Sequence, residues 1–367
     1  MNKTGFGFLR LPRLDAADEK SVDYELLCSM VDRFLELGGS YFDTAYTYLG
    51  GVSEEALRKT VVERYPRERF RIADKLPGYE AKSYADNARF LETSLQRCGV
   101  DYFDVYLLHG LNAENYAIAQ EYDQFAFLRE AKRSGKAKKI GFSYHDTAEL
   151  LDQILTEQPG LDYVQLQINY LDWDSLSVQS RKCYETAVKH GMKVLVMEPV
   201  KGGNLAKLPE AAEQQLKAQR PEDSAARWAI RFASELDAVE IVLSGMNSME
   251  QMADNMQPME RLCAAEHDAL RDAAKIIQSN TAIGCTGCGY CTPGCPAKIP
   301  IPQYFALFNE YKRSPKELWK TQVIYESIIK TAGKPADCVQ CRQCERKCPQ
   351  KLDIVQHLQE IDRAFAE

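Results

Sequence analysis

Residues 70–109 decide the reading of the fold: Phe70-Arg71-Ile72-Ala73-Asp74-Lys75, then the stretch Tyr84–Cys98, then Phe103-Asp104-Val105-Tyr106-Leu107-Leu108-His109. The outer runs are short and rich in apolar and aromatic residues, which suits buried strands. The stretch between them has apolar residues at helical spacing. Strand, amphipathic helix, strand is one βα unit running into a parallel neighbour. The alternation extends both ways along the chain. Strand-like runs recur at Gly5–Leu9, Ser40–Asp43, Lys139–Ser143, Tyr163–Ile168, Lys193–Met197 and Glu240–Ser244, and helical spacing recurs in Tyr24–Leu37, Glu54–Glu63 and Ala225–Leu236. Eight units in about 250 residues predict an α/β fold, a closed (β/α)8 barrel of the TIM type. A doubly wound open sheet is the alternative. It would carry a glycine-rich turn between its first strand and a helix, and Gly5-Phe6-Gly7 precedes no helix start.

A chain of 367 residues has room for that barrel and a smaller attachment. It is 45% hydrophobic and 27% charged with mean hydropathy -0.40, the composition of a chain with a packed core. There are 46 Lys and Arg against 53 Asp and Glu, net charge -7, and no polybasic block to track a phosphate backbone, so nucleic acid is not an expected partner. No apolar run approaches the roughly 18–20 residues of a spanning helix, and Met1–Leu14 lacks the apolar segment of a secretory leader. A cytoplasmic protein without a membrane partner is expected. Eight of the 12 cysteines crowd between Cys285 and Cys348, a density that points to metal ligation rather than disulfides. Residues 1–281 carry 34 basic and 44 acidic side chains, and residues 282–367 carry 12 and 9. The expected domains are therefore a barrel over 1–281 and a cysteine-rich domain over 282–367.

In a barrel of this kind, side chains at the C-terminal ends of the strands face the catalytic mouth. Three consecutive runs end in titratable groups: Phe42-Asp43, Asp74-Lys75 and Leu108-His109, with Tyr48 five residues beyond Asp43. A phenol keeps its proton at neutral pH, and a nearby ammonium stabilises its anion. Tyr48 is thus a candidate general acid for a carbonyl oxygen, and Lys75 is expected to lower its pKa. Asp43 would hold Lys75, and His109 would orient the substrate oxygen by a hydrogen bond.

These residues, Phe42-Asp43-Thr44-Ala45 with Tyr48 and Ser53-Glu54, then Lys75, then Leu107-Leu108-His109, resemble the aldo/keto reductase family over residues 5–260 or so. The resemblance implies an NAD(P)H-dependent oxidoreductase acting on a small-molecule carbonyl or alcohol, with Asp43, Tyr48, Lys75 and His109 as its catalytic tetrad. It also implies that Ser143 and Gln165 hold the nicotinamide carboxamide. The segment Ser244, Gly245, Ser248, Gln251 and Asn255 resembles the phosphate and adenine site. Two positions depart from the family pattern: Tyr144 stands where an Asn is usual, and Met197 where many members stack an aromatic ring on the nicotinamide. Residues 244–257 contain no Lys or Arg to pair with a 2′-phosphate, which leaves NADP and NAD both open.

The tail reads Cys285-Thr-Gly-Cys288-Gly-Tyr-Cys291-Thr-Pro-Gly-Cys295-Pro296 and Cys338-Val-Gln-Cys341-Arg-Gln-Cys344-Glu-Arg-Lys-Cys348-Pro349. Each is a C-x2-C-x2-C-x3-C-P run, in which three cysteines grip one 4Fe-4S cluster and the fourth reaches to the other. The expected ligand sets are Cys285, Cys288, Cys291 and Cys348 for one cluster and Cys338, Cys341, Cys344 and Cys295 for its neighbour. Structural zinc sites, the alternative, show separated cysteine pairs. Between the runs, Pro302–Tyr311 and Trp319–Ile329 look helical, which is similar to the small, mainly helical two-cluster ferredoxin domains of multi-subunit reductases. The barrel cysteines Cys28, Cys98, Cys183 and Cys263 read as small hydrophobes.

Hydride chemistry moves two electrons and each cluster ordinarily one, and no Rossmann-type glycine fingerprint for a flavin is present. Three functions follow. Either the clusters exchange electrons with an outside ferredoxin or flavoprotein, or they only fold the tail of a carbonyl reductase, or the barrel is idle and the chain is an electron-transfer or nucleotide-sensing module. The intact tetrad argues against the third.

Overall fold

The eight apolar runs are strands in the computed structural model, which describes residues 3–15, 17–175, 178–313 and 318–365. They are β1 (Thr4–Gly7), β2 (Tyr41–Asp43), β3 (Arg71–Leu76), β4 (Phe103–Leu111), β5 (Ala137–Tyr144), β6 (Tyr163–Gln167), β7 (Lys193–Met197) and β8 (Val239–Ser244). Each pairs in parallel with the next, and β8 returns to β1 to close the barrel. Closure leaves no unpaired strand edge.

The pleat decides what each strand offers. Successive side chains alternate between the barrel interior and the helical layer. Tyr41, Ala73, Val105, Leu107, Tyr163, Leu195, Ile241 and Leu243 form one buried cluster inside the barrel. Asp43, Lys75 and His109 each stand two residues beyond a member of that cluster. They therefore share its face, at the C-terminal end where the strands open. Ile72, Asp74, Tyr106 and Leu108 alternate with them and face the helices.

Around the strands run α1 (Tyr24–Glu36), α2 (Val52–Leu57), α3 (Tyr84–Cys98), α4 (Ala113–Glu121), α5 (Gln124–Arg133), α6 (Ala148–Glu157), α7 (Ser180–Lys189), α8 (Glu210–Lys217), α9 (Ala225–Ser234), α10 (Met249–Asn255) and α11 (Ala264–Ser279). α1 shows how the sequence makes them. Asp23 caps its first turn by accepting from the Leu26 N–H at 3.0 Å, a contact worth about 1 kcal/mol. Leu27, Met30, Val31, Phe34 and Leu35 then fall on one buried stripe. Phe34 meets Phe6 and Phe42 at ring-centroid separations of 5.7 and 5.1 Å, and burying such a side chain stabilises the fold by roughly 1.5–3 kcal/mol.

The chain folds as two compact units. One comprises Met1–Ser175, Gln179–Pro199 and Arg227–Leu262 and contains every barrel strand, while the other is built chiefly from Val200–Ala226 and Cys263–Glu367. In the second unit α8 packs on α11, and α12 (Ile301–Arg313) packs on α13 (Leu318–Ile329) and on α15 (Ile354–Phe365). The short α14 (Gln343–Arg346) lies inside the second cysteine run. This unit has its own core, in which Ile301, Tyr304, Phe305 and Phe308 of α12 meet Ile354, Leu358, Ile361 and Phe365 of α15. Tyr325 stacks on Phe365 at 4.9 Å. No helix among the described residues is long and apolar enough to cross a membrane.

Candidate active site and cysteine cavities

Lys75 is fully buried, and its ammonium donates to Asp43 Oδ1 at 2.6 Å and to the Thr44 carbonyl at 2.7 Å. It also lies over the Tyr48 ring, 4.8 Å from the centroid. The Tyr48 ring meets the His109 ring edge-on at 5.6 Å. The fold thus gathers all four expected tetrad residues from β2, β3, β4 and the turn after β2.

That turn needs a special backbone. Tyr48 begins a 3-10 turn, Tyr48–Gly51, in which Leu49 has φ of 52° and Gly51 reaches 95°. The left-handed step at Gly51 reverses the chain so that α2 can start at Val52, while Tyr48 stays over the mouth. The neighbouring Ser53-Glu54 pins it. Ser53 Oγ donates to the Phe8 carbonyl at 3.0 Å, and Glu54 pairs with Arg97 at 2.8 Å, whose guanidinium lies over the Tyr46 ring.

The net shift of Tyr48 runs opposite to the expected one. Burial, reinforced by Asp43 and Tyr79, pushes the Tyr48 phenol well above its usual value. A phenolate here would give up its hydration, and Asp43, 2.6 Å from the ammonium, offsets part of the positive field that would compensate. The phenol therefore keeps its proton. Burial likewise lifts the Asp43 carboxyl, against the pull of Lys75.

His109 moves the other way. Burial, then Lys75 and His145, holds its imidazole well below the usual histidine range, so the ring is neutral at pH 7. In the unfolded chain the same ring titrates near pH 6.5. Between the two values the unfolded chain binds the extra proton, so His109 lowers stability as pH falls below about 6.5 and costs nothing above it. Urea midpoints at pH 5.5 and 7.5 should show this loss, and His109→Gln should flatten the difference. An unchanged pH slope in the variant would contradict the buried neutral ring.

On the outward side of β3, Glu54, Asp74 and Cys98 bring their polar atoms within 4.8 Å of one another, all buried. Burial and the nearby Glu54 push the Asp74 carboxyl well above its usual range in this layer between strand and helix. The group braces the wall behind Lys75.

The residues expected at the nucleotide site lie at the same open end of the barrel. Ser143 pairs in register with Gln165. Ser143 Oγ accepts from the Gly110 N–H at 2.7 Å, while the buried Gln165 Oε1 has no hydrogen-bond partner among the described residues. Asn255 Nδ2 donates to Ser244 Oγ at 2.9 Å, and Ser248 caps α10 by accepting from the Gln251 N–H at 3.3 Å. Gln251 Oε1 in turn accepts from the Asn247 N–H at 2.9 Å. Tyr144 turns into the wall, where its hydroxyl donates to the Thr147 carbonyl at 2.6 Å. Trp173 and Tyr170 pack on Phe232. The Trp319 side chain lies outside the described residues.

Two residues escaped the sequence reading. Tyr79 sits 5.9 Å from the His109 ring, in the loop just past the end of β3. Arg10 lies against Gly245, close enough that a Cβ added there would be 3.2 Å from Arg10 Cβ. It places beside the end of β8 an arginine that residues 244–257 lack. The available signal was position alone, since each follows closely on the C-terminal end of a strand.

In the second unit the cysteines divide as the spacing predicts. Cys285, Cys288, Cys291 and Cys348 line one cavity with Ile301, Phe305 and Leu352. Cys295, Cys338, Cys341 and Cys344 line another with Ile299, Val355 and Leu358. None of the eight is joined in a disulfide. The two runs also share a backbone: φ is positive at Gly287, Gly289 and Lys298, and again at their counterparts Gln340, Arg342 and Lys351. The spacing thus codes one loop shape twice, each loop wrapping an apolar cavity.

Comparison with known proteins agrees with both halves. A model of the aldo/keto reductase family matches residues 5–275, and a model of the 4Fe-4S dicluster domain matches residues 284–352. An aldo-keto reductase from Mycobacterium avium is 24% identical over 277 residues, 73% of this chain and 89% of the relative. Among solved structures, the holo form of an aldo-keto reductase from Bacillus halodurans superposes with a TM-score of 0.58 at 24% identity, covering 75% of this chain and 92% of that one. An aldo-keto reductase from Klebsiella pneumoniae in complex with NADPH gives 0.58 at 19% identity, over 74% and 90%. With a barrel matched over most of its length and a 4Fe-4S domain following it, the chain belongs to the aldo/keto reductase family of NAD(P)-dependent oxidoreductases.

Proposed function

We propose that residues 1–281 reduce an aldehyde, ketone or sugar, and run the reverse alcohol oxidation, with Tyr48 as the general acid and base. Residues 282–367 would hold two 4Fe-4S clusters. The observation that carries the reading is the buried Asp43–Lys75 pair set against the Tyr48 ring, beside a neutral His109. Among the described residues the Tyr48 hydroxyl makes no hydrogen bond, which leaves it for a substrate oxygen. His109 can donate one N–H to that oxygen, and Lys75 sets a positive field beside the negative charge that develops there.

A nicotinamide nucleotide, when bound, supplies the hydride. The Gln165 Oε1, without a hydrogen-bond partner among the described residues, suits the N–H of its carboxamide. NADPH is the favoured form, by likeness to the Klebsiella relative solved with it.

The two cavities suit iron-sulfur cubes, since each is lined by four cysteines outside any disulfide, set in an apolar wall. Bound clusters would supply one-electron transfer, to or from an outside ferredoxin or flavoprotein. Purely structural clusters are the second reading, favoured by Cys291 and Cys348 being part of the hydrophobic core. Twelve cysteines without a disulfide suit a reducing compartment such as the cytoplasm.

The test is anaerobic. NADPH or NADH is mixed with aldehydes, ketones and sugars while cluster absorbance is followed. Substrate-dependent nucleotide oxidation is expected, and none across the panel would refute the barrel assignment. Bleaching separates conducting clusters from structural ones. The crossed ligand sets predict that Cys348→Ser, although it lies in the second run, removes the cluster gripped by Cys285, Cys288 and Cys291. Iron should fall from about eight atoms per chain towards four. Loss of the other cluster, distinguishable by its electron paramagnetic resonance signal, would overturn the assignment.

A further inference from the structure

The two cysteine runs are alike in backbone and unlike in cover. Thr286 follows Cys285 and is 4% exposed, whereas its counterpart Val339 follows Cys338 and is 65% exposed. The first loop is covered by the segment 201–204. A Cβ on Gly202 would stand 2.2 Å from the Thr286 carbonyl oxygen, so only glycine permits that approach. Asn204 Nδ2 donates to the Cys285 carbonyl at 2.8 Å, and the buried Lys201 ammonium donates to Gln350 Oε1 at 2.9 Å. In the second loop Val339, Gln340, Cys341 and Arg342 are all exposed.

The rim of that loop is basic. Arg342, Arg346 and Lys347 are exposed, and the acidic residue among them, Glu345, is engaged by Arg342 and by the Val355 N–H, each at 3.0 Å. Lys347 Nζ reaches the cavity wall, 3.5 Å from where a Gly294 Cβ would be. Such a patch is out of character for a chain of net charge -7.

We propose that this loop, residues 338–347, is the docking face for a small acidic one-electron carrier protein, which exchanges electrons with the cluster of the second cavity. An exposed valine with three exposed cations on the same loop offers apolar surface together with charge, the makings of a transient complex steered by charge. One electron leaves the reduced carrier and enters the oxidised cluster, so the carrier ends oxidised and the cluster reduced by one. No bond is made or broken. The inference rests on the two-cluster reading above.

The test mixes the cluster-loaded full chain with a reduced acidic ferredoxin in a stopped-flow instrument and follows cluster bleaching. The second-order rate should fall at least tenfold between about 50 and about 300 mM salt, as screening shortens the reach of the charges. Arg346→Glu with Lys347→Glu should lower the low-salt rate at least tenfold, with iron content and carbonyl turnover unchanged. A rate indifferent to both salt and the substitutions overturns the docking face, as does dimerisation of the chain through this loop without saturable exchange. If the variant fails to load iron, carbodiimide cross-linking of the wild-type chain to ferredoxin decides: a link at Lys347 supports the face, and links confined elsewhere refute it. Absence of iron from the wild-type chain would instead fail the two-cluster reading.

Discussion

Tyr48→Phe should lower carbonyl turnover by about 10²–10⁴ while leaving iron content and nucleotide binding intact. The substitution removes one hydroxyl and keeps the ring, so the edge contact with His109 and the contact with Lys75 survive. What is lost is the proton that must reach the substrate oxygen as hydride reaches its carbon. Neither neighbour replaces it. The His109 ring is neutral because burial and Lys75 disfavour its charged form, and Lys75 is committed to Asp43 and the Thr44 carbonyl. Because burial raises the Tyr48 pKa, reduction by the wild-type chain should show no loss from phenol ionisation up to pH 9. Steady-state rates of both proteins across pH 6–9 test this. Turnover within threefold of wild type in the variant would rule out Tyr48 as the acid.

Lys75→Met should cost about 3–5 kcal/mol of stability at pH 7, because it leaves the Asp43 carboxylate buried without its cation. The Asp43 and Lys75 side chains are 4% and 1% exposed, so water cannot take over. The sign with pH follows. Without Lys75 the folded pKa of Asp43 lies further above its unfolded value near 3.9, so the penalty grows as pH rises through the unfolded value and eases as pH falls back towards it. Urea midpoints at pH 5 and 7 would show the variant recovering part of its deficit at the lower pH. Adding Asp43→Leu should restore most of the stability, since an apolar pair of similar volume replaces the ion pair, and should restore no activity. A single-variant loss below about 1 kcal/mol would mean that the pair is far more hydrated than the structure shows.

Much of the barrel was legible. The eight strands lie within two residues of their sequence-read bounds because each is an apolar run cut off by turn residues, which is a local signal. The tetrad was legible for a related reason: Asp43, Lys75 and His109 continue the two-residue rhythm of Tyr41, Ala73 and Leu107, so the pleat fixes their direction before any packing is known. The grouping of the cysteines into two crossed sets also followed from spacing, and the structure puts those sets in two cavities. The Tyr48 pKa was misread, because proximity of an ammonium can be guessed from strand ends, whereas burial and the offsetting charge of Asp43 depend on how several elements close over one point.

By itself, then, the sequence determined the order of the βα units, the identity of the groups at the open end of the strands and the grouping of the tail cysteines. These are properties of spacing along a chain whose local geometry is nearly fixed. Only the tertiary structure decided that Tyr48 holds its proton, that Arg10 stands beside Gly245, and that residues 201–204 cover the first cysteine loop while the second stays bare. Each of those depends on segments far apart in sequence meeting in space, where removal of water rather than residue type sets charge, exposure and access.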